Sequence, residues 1–375
     1  MYQYITSESV CAGHPDKLCD KIADSILDEA IRIDKYARMA VEATIKDNFI
    51  FIYGESSVDG IDYGGIAKKV IEDVGYDEDY EVLIKVSKQS NEIANAVINP
   101  SSGKLGAGDQ GIVYGYATDE TPNYMPMPIY LAHAIAKKLD NPDYRYILGP
   151  DGKTQVTVAY NNKYKPADVH NILVSKQHRE NVNIKELRDF LQYKLNFKSL
   201  MDELNLYSYF TNDLEYQGYA PAYIINPSGS FVVGGSFGDS GTTGRKIVVD
   251  TYGGVGRVGG GALSSKDPTK VDRSGAYYAR YVAKNIVYNK LATRCEIQVA
   301  YGIGLSEPIS FHLDCYGTNT EPINNIYSLI GDKFDFSPYN IIEELDLRRP
   351  IYADTAVYGH YGDPKYPWEQ VKIIT

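Results

Sequence analysis

Three stretches gather the residue types that bind phosphate. Residues 103–111 read GKLGAGDQG, 226–246 read NPSGSFVVGGSFGDSGTTGRK and 252–274 read YGGVGRVGGGALSSKDPTKVDRS. Glycine lets backbone N–H groups close on an anion, so such turns make phosphate nests. Arg245, Lys246, Lys266 and Lys270 place four cations in these stretches, in a chain whose net charge is −11. They lie among glycines and acids rather than on a helix face, and Lys266 and Lys270 flank Pro268, which argues against regular helix between them. Lys153, close behind Asp151 and just ahead of a strand pattern, is a further candidate. Acids beside such cations suggest a bridging metal, because Mg²⁺ is held by one or two carboxylates plus substrate phosphate oxygens. Asp16, Asp239 and Asp272 are placed for that. An acid next to a lysine is usually a solvated ion pair, so position must decide. Gly13-His14-Pro15-Asp16-Lys17 supplies the position. Pro15 biases His14 to extended backbone, and Pro-Asp-Lys opens a helix with proline in its first turn. His14 and Asp16 therefore fall at a helix N-terminus, a ready anion or metal–phosphate site.

Two familiar nucleotide motifs fail here. Gly254-x-Gly256-x-x-Gly259 matches the dinucleotide fingerprint by letter, and the preceding IVVDTY (247–252) reads as a strand. Gly259-Gly260-Gly261 and Pro268 follow too closely for the long helix that fingerprint needs. No Walker A is present: the glycine spacing in 238–246 is wrong and Arg245 precedes Lys246. A kinase-type catalytic loop is also missing.

The elements that must carry these loops repeat. Leu18, Ile22, Ala23, Ile26, Leu27, Ala30 and Ile31 recur at helical spacing over 16–33. Met39, Val41, Ala43 and Ile45 then alternate, Lys46-Asp47-Asn48 turns, and a second strand runs through 49–53. Helix over 127–138 leads to strands at 156–160 and 169–175. Helix over 274–288 leads to strands at 295–303 and 309–315. Three such units predict an α/β protein (α+β type) of three pseudo-threefold-related subdomains, each a mixed or antiparallel-rich sheet packed with helices. Approximate boundaries are 1–120, 121–235 and 236–375.

Composition narrows the class. The chain has 375 residues, 38 Lys+Arg against 49 Asp+Glu, 43% hydrophobic and 23% charged residues, which is ordinary for a soluble globular protein of two or three core-forming units. The anionic balance excludes a generally basic nucleic-acid binder, and no apolar run approaches the ~20 residues of a membrane span. Cys11, Cys19, Cys295 and Cys315 form no C-x-x-C pair and read as reduced thiols. No signal peptide is evident in MYQYITSESV, so the expected location is cytoplasmic. Tyrosine is frequent, 34 against 10 phenylalanines, and carries no functional reading.

TSESVCAGHPDK (6–17), GAGDQG (106–111), GDSGTTGRK (238–246) and GGGALSSKDPTKVDRS (259–274) resemble, in order, the signatures of the S-adenosylmethionine synthetase (methionine adenosyltransferase) family. YARYVAKNIV, RCEIQVAYGIG and the tail YGHYG…YPWE are similar to that family as well. The resemblance spans the chain and implies three intertwined α/β subdomains. It implies transfer of the adenosyl group of ATP to the sulfur of L-methionine, then hydrolysis of the triphosphate. Mg²⁺, two ions in all, and K⁺ are the implied cofactors. The implied assembly is a homodimer with active sites between the chains, expected here as a homotetramer of two dimers, with neither nucleic acid nor membrane as partner. Residue by residue, His14 would stabilise the departing oxygen, Asp16 and Asp272 would hold Mg²⁺, and Glu42 would hold K⁺. Glu55, Gln89 and Lys270 would contact methionine, and Asp239 both methionine and the nucleoside. Asp151, Lys153, Ser230, Phe231, Arg245, Lys246, Ala262 and Lys266 would line the ATP site, with Phe231 stacking on adenine. His14, Lys153, Arg245, Lys246, Lys266 and Lys270 are thus the expected catalytic set. Asp109 lies near the site in the family and takes no assigned step.

The chain departs from the family pattern at several places. Ala12 replaces an acid, Gly149 and Ser230 stand where arginine is frequent, Thr242 replaces leucine, and Leu263 and Ser265 replace phenylalanine and glycine. Residues 90–104, corresponding to the family's mobile active-site loop, are shorter than usual. The charged set is intact, so these changes bear on loop gating and turnover rather than reaction class. Two competing functions are an inactive homologue that binds nucleotide or serves as a partner subunit, and a different ATP-using enzyme.

Overall fold

The structure is a computed structural model that describes residues 2–88, 105–211 and 220–374. Helix α1, Pro15–Ile33, starts where the sequence dictates. His14 is extended (φ −62°, ψ 133°), Pro15 is the first helical residue, and Asp34, extended at φ −140°, ends it. Leu18, Ile22, Ala23, Ile26, Leu27, Ala30 and Ile31 are all buried along one stripe. The other helices of seven residues or more, among the described residues, are α2 (Tyr63–Val74), α3 (Met127–Leu139), α4 (Ile184–Lys194), α5 (Phe197–Leu204), α6 (Val271–Tyr288), α7 (Ile323–Lys333) and α8 (Pro338–Glu344).

The strands are β1 (Gln3–Val10), β2 (Met39–Lys46), β3 (Phe49–Ser56), β4 (Glu81–Lys88), β5 (Gly111–Thr118), β6 (Leu148–Tyr160), β7 (Pro166–His178), β8 (Ala222–Ile225), β9 (Gly241–Thr242), β10 (Arg294–Tyr301) and β11 (Ser310–Asp314). They form three sheets ordered β4-β3-β2-β9, β1-β6-β7-β8 and β11-β10-β5. The hairpins expected from alternation lie at the heart of each: β2 pairs antiparallel with β3, β6 with β7 and β10 with β11. α1 packs on β2, α3 on β1 and β6, and α6 on β5 and β10. The result is the α/β architecture of three similar subdomains, each sheet with one long helix against it.

Each sheet also takes a strand from a distant part of the chain. β1 pairs with β6, β5 with β10, and β9 with β2. One continuous core joins α1, α6 and the β2 and β10 sheets, and a second surrounds α3 and the β6–β7 hairpin. The C-terminal tail is fastened into the first core. Trp368 stacks on Tyr277 with ring centroids 3.7 Å apart, and the buried Glu369 carboxylate lies between Arg280 and Lys284.

Two local readings need correction. Ile247–Asp250, expected as strand, forms one helical turn, and Gly253 and Gly254 follow with positive φ. The valines that suggested a strand are there split between a buried Val249 and an exposed Val248. α6 begins at Val271 rather than 274, because its first turn, Val271-Asp272-Arg273, is too polar to register as apolar periodicity. All four cysteines are free and buried. Among the described residues no helix is long and apolar enough to cross a membrane.

Candidate active site

The expected site residues fall into two groups, each built at the N-terminus of a long helix. The first is organised by α1. The His14 ring caps the helix by accepting the Asp16 N–H through Nδ1 at 3.2 Å. The ring is buried, and burial, with Lys246 and Lys153 nearby, lowers its pKa to about 3. It is therefore neutral at pH 7, with its proton on Nε2, the nitrogen not used as acceptor. Asp16 accepts the Thr242 N–H at 2.9 Å through Oδ1 and Lys246 Nζ through Oδ2, with Arg245 Nε 3.6 Å from Oδ1. Burial alone would raise the Asp16 pKa; the Lys246 and Thr242 hydrogen bonds outweigh it and hold the carboxyl below its usual range. β9 brings the loop this close by pairing Thr242 with Thr44. Only glycine fits at 241, since a Cβ there would stand 2.2 Å from the Pro15 carbonyl oxygen. Lys153, Asp239 and Arg245 are exposed around this group.

Asp151 supports it from below. Its buried carboxylate accepts the Gly235 N–H at 2.8 Å, and burial raises its pKa. Tyr76 donates its hydroxyl to the Gly13 carbonyl at 2.8 Å, fixing the turn before His14. Phe231 donates its N–H to His178 Nε2 at 3.1 Å, and the Ser230 hydroxyl lies 3.2 Å from the same nitrogen. The ring of His178 thus holds the backbone that carries both residues.

The second group is organised by α6. Asp272, in its first turn, accepts Lys266 Nζ at 2.6 Å. Gly261 packs against that carboxylate, where a Cβ would come within 2.1 Å of Cγ. Lys270 pairs with the buried Asp267, which also takes the Met39 and Thr269 N–H groups; burial opposes ionisation of Asp267 but the Lys270 charge and these bonds hold its pKa low. Lys266 bridges to Ala40 of β2, and Ala40 is opposite Glu55 of β3. Glu55 is half-buried there, Glu42 on β2 is exposed with the Tyr53 hydroxyl 3.3 Å away, and Ala262 is half-buried beside Gly244. Gln89 and the 90–104 loop lie outside the described residues.

One feature of α1 escaped the sequence reading. Asp16, Asp20, Asp24 and Asp28 recur every fourth residue and are all buried. Like charges at that spacing repel, so the ladder needs partners from elsewhere. Asp20 accepts Lys17 and the Gly244 N–H; Asp24 accepts Arg273 and the Ser265 N–H; Asp28 accepts the Tyr352 and Ala353 N–H groups. The helix therefore sews the 241–246 loop, the 262–273 loop and the C-terminal segment together, and it links the two groups. The signal was present as the four-residue acid spacing.

Among the described residues no cluster of three or more His, Cys, Asp or Glu side chains is arranged to hold a metal alone. The chain instead offers single carboxylates, Asp16 and Asp272, each beside a lysine. That donor set fits Mg²⁺ completed by phosphate and water oxygens, not an all-protein cage.

Family models for the N-terminal, central and C-terminal domains of S-adenosylmethionine synthetase match residues 2–101, 104–231 and 233–370. The chain is similar to the S-adenosylmethionine synthase of Sorangium cellulosum, at 45% identity over 385 residues, covering 98% of this chain and 87% of that protein. It is 43% identical to that of Treponema denticola, over 98% and 95% of the two chains, and 42% identical to that of Borreliella afzelii, over 99% and 96%.

Proposed function

The chain belongs to the S-adenosylmethionine synthetase family, and from that membership and the site's geometry we propose that it makes S-adenosylmethionine from ATP and L-methionine. By family it is a methionine adenosyltransferase. The reaction is ATP + L-methionine + water → S-adenosylmethionine + phosphate + diphosphate. The nucleophile is a neutral thioether, so no base has to remove a proton. Sulfur attacks ribose C5′ in line while the C5′–O bond to the triphosphate breaks, and water then cleaves the bound triphosphate. Catalysis is positioning and electrostatics.

The observation that carries this reading is a repeated unit: a carboxylate in the first turn of a long helix, paired with a lysine from a glycine-rich loop. Asp16–Lys246 is one copy and Asp272–Lys266 the other. Each lysine is held ready for a phosphate. The neutral His14 presents Nε2–H as a donor to the departing oxygen. Lys153, Arg245, Lys246 and Lys266 take the triphosphate charge, and Asp151, Ser230, Phe231 and Ala262 shape the nucleoside side. Glu55, Gln89, Lys270 and Asp239 would receive methionine. Asp16 and Asp272 would hold Mg²⁺ and Glu42 K⁺; bound Mg²⁺ supplies neutralisation of the charge that builds on the leaving oxygens. The two groups are drawn together into whole sites by a second copy of the chain.

The test is product analysis on purified protein given ATP, methionine, Mg²⁺ and K⁺. Formation of a sulfonium product with phosphate and diphosphate, dependent on methionine, is expected. ATP cleavage indifferent to methionine, or nucleotide binding without cleavage, would overturn the proposal.

A further inference from the structure

Ser265, immediately before Lys266, sits at φ +75°, a left-handed conformation that side chains other than glycine, asparagine and aspartate rarely adopt. Such a residue persists only where its surroundings over-determine it. The determinant here is Asp24 of α1. Its carboxylate is fully buried and accepts the Ser265 N–H at 2.9 Å. The same carboxylate takes Arg273 as a two-pronged pair, Nη1 at 2.7 Å and Nη2 at 2.9 Å. Arg273, also fully buried, then donates to the Lys266 carbonyl at 3.2 Å, to Thr355 Oγ1 at 3.0 Å and to Tyr277 Oη at 3.0 Å. Amide 265 and carbonyl 266 are therefore gripped from both sides by one ion pair that makes no use of the Lys266 side chain.

We infer that Asp24 is a positioning residue for the reaction: through Arg273 and the Ser265 amide it fixes the backbone from which Lys266 reaches the triphosphate. This rests on the proposed role of Lys266. A bidentate arginine–carboxylate pair has one preferred geometry, so it transmits position rather than merely charge. Misplacement of a phosphate-binding lysine by a fraction of an ångström weakens both nucleotide binding and transition-state contact.

The experiment compares wild type with Asp24→Asn by steady-state kinetics and by hydrogen exchange of the 262–270 segment. Expected for Asp24→Asn are a KM for ATP raised about tenfold, a kcat lowered about tenfold or more per folded enzyme, and faster exchange in that segment. A purely structural role would remove active sites and lower the maximal rate while leaving the KM for ATP unmoved; that result overturns the inference, as does unchanged exchange. Thr355→Val, which removes one Arg273 bond and the hydroxyl's own bond to the Tyr352 carbonyl but no charge, should shift both readouts the same way but less, and it decides the matter if Asp24→Asn does not fold. Should the wild-type protein make no sulfonium product, the functional proposal fails, and the exchange comparison alone then decides whether Asp24 clamps the loop.

Discussion

A histidine that accepts a backbone N–H through Nδ1 must carry its own proton on Nε2, and His14 does so with the amide of Asp16. Burial and the nearby Lys246 and Lys153 disfavour its cation, so protonation waits until about pH 3. The ring should then show no titration between about pH 5 and 8, where an unperturbed histidine would gain a proton. Carbon-13 shifts of labelled His14 check this, and a midpoint near 6.5 would mean that the ring is solvated and is not a fixed Nε2–H donor. The charged pairs around it make a second test. Lys266→Met and Asp16→Asn should each cut turnover by about 10²–10³-fold, because each removes charge where it develops in the reaction. Their far-ultraviolet circular dichroism should match wild type, since both side chains lie at loop or helix ends. Wild-type-like turnover in either variant would remove that residue from the mechanism. His14, Asp16, Lys246 and Lys266 could be read from the sequence because proline, glycine and charge fix their settings locally. The spacing of Asp20, Asp24 and Asp28 is visible in the sequence but their role is not, because the loop and tail groups they hold (the amides of Gly244, Ser265 and Tyr352) lie more than two hundred residues away.

At the scale of elements, α1 is both a core helix and a bracket, and its far end can be tested apart from the chemistry. Asp28 grips the Tyr352 and Ala353 amides, but burial dominates and raises its pKa from 3.8 to about 6. A raised carboxyl favours the native state most where the unfolded chain is also protonated, and that advantage is lost as pH rises from about 4 to about 6. Asp28→Asn cannot ionise. The stability difference, wild type minus variant, should therefore move against wild type across that window and level off above it, as read from urea unfolding midpoints. A difference flat in pH would place Asp28 in contact with water. The long apolar elements followed from sequence alone: α1, α3 and the three central hairpins carry clean 3.6- or 2-residue periods. β4 and β8 did not, because parallel pairing to β3 and β7 leaves no turn signal. β9 did not because two residues carry no period, although that strand delivers Thr242 and Lys246 to Asp16.

Over the molecule as a whole, apolar side chains are packed into two cores, while the sheets also keep apolar residues in the open. Tyrosines fill the core, and several of their hydroxyls find acceptors, as Tyr301 does at the Phe336 carbonyl and Tyr160 at Glu120, while those of Tyr252 and Tyr361 are buried without a partner; the tyrosine-rich composition thus has a structural use. Yet Leu83, Ile84, Ile112, Ile303, Leu305 and Ile309 stay exposed on or beside the sheets, as expected of faces that meet a second copy. If the α1 group of one chain works with the α6 group of its partner, two consequences follow. Specific activity should fall with the dimer on dilution, and a fully active monomer on sedimentation would refute sharing. The sharper consequence uses the two inactive variants. A dimer of one Asp16→Asn chain and one Lys266→Met chain pairs the intact Asp16 of the second with the intact Lys266 of the first, so one of its two sites is whole. Random mixing makes half the dimers of this kind, so co-refolded variants should recover about a quarter of wild-type activity. If each chain instead builds its site alone, every site in the mixture carries a defect and the mixture stays as inactive as its parts.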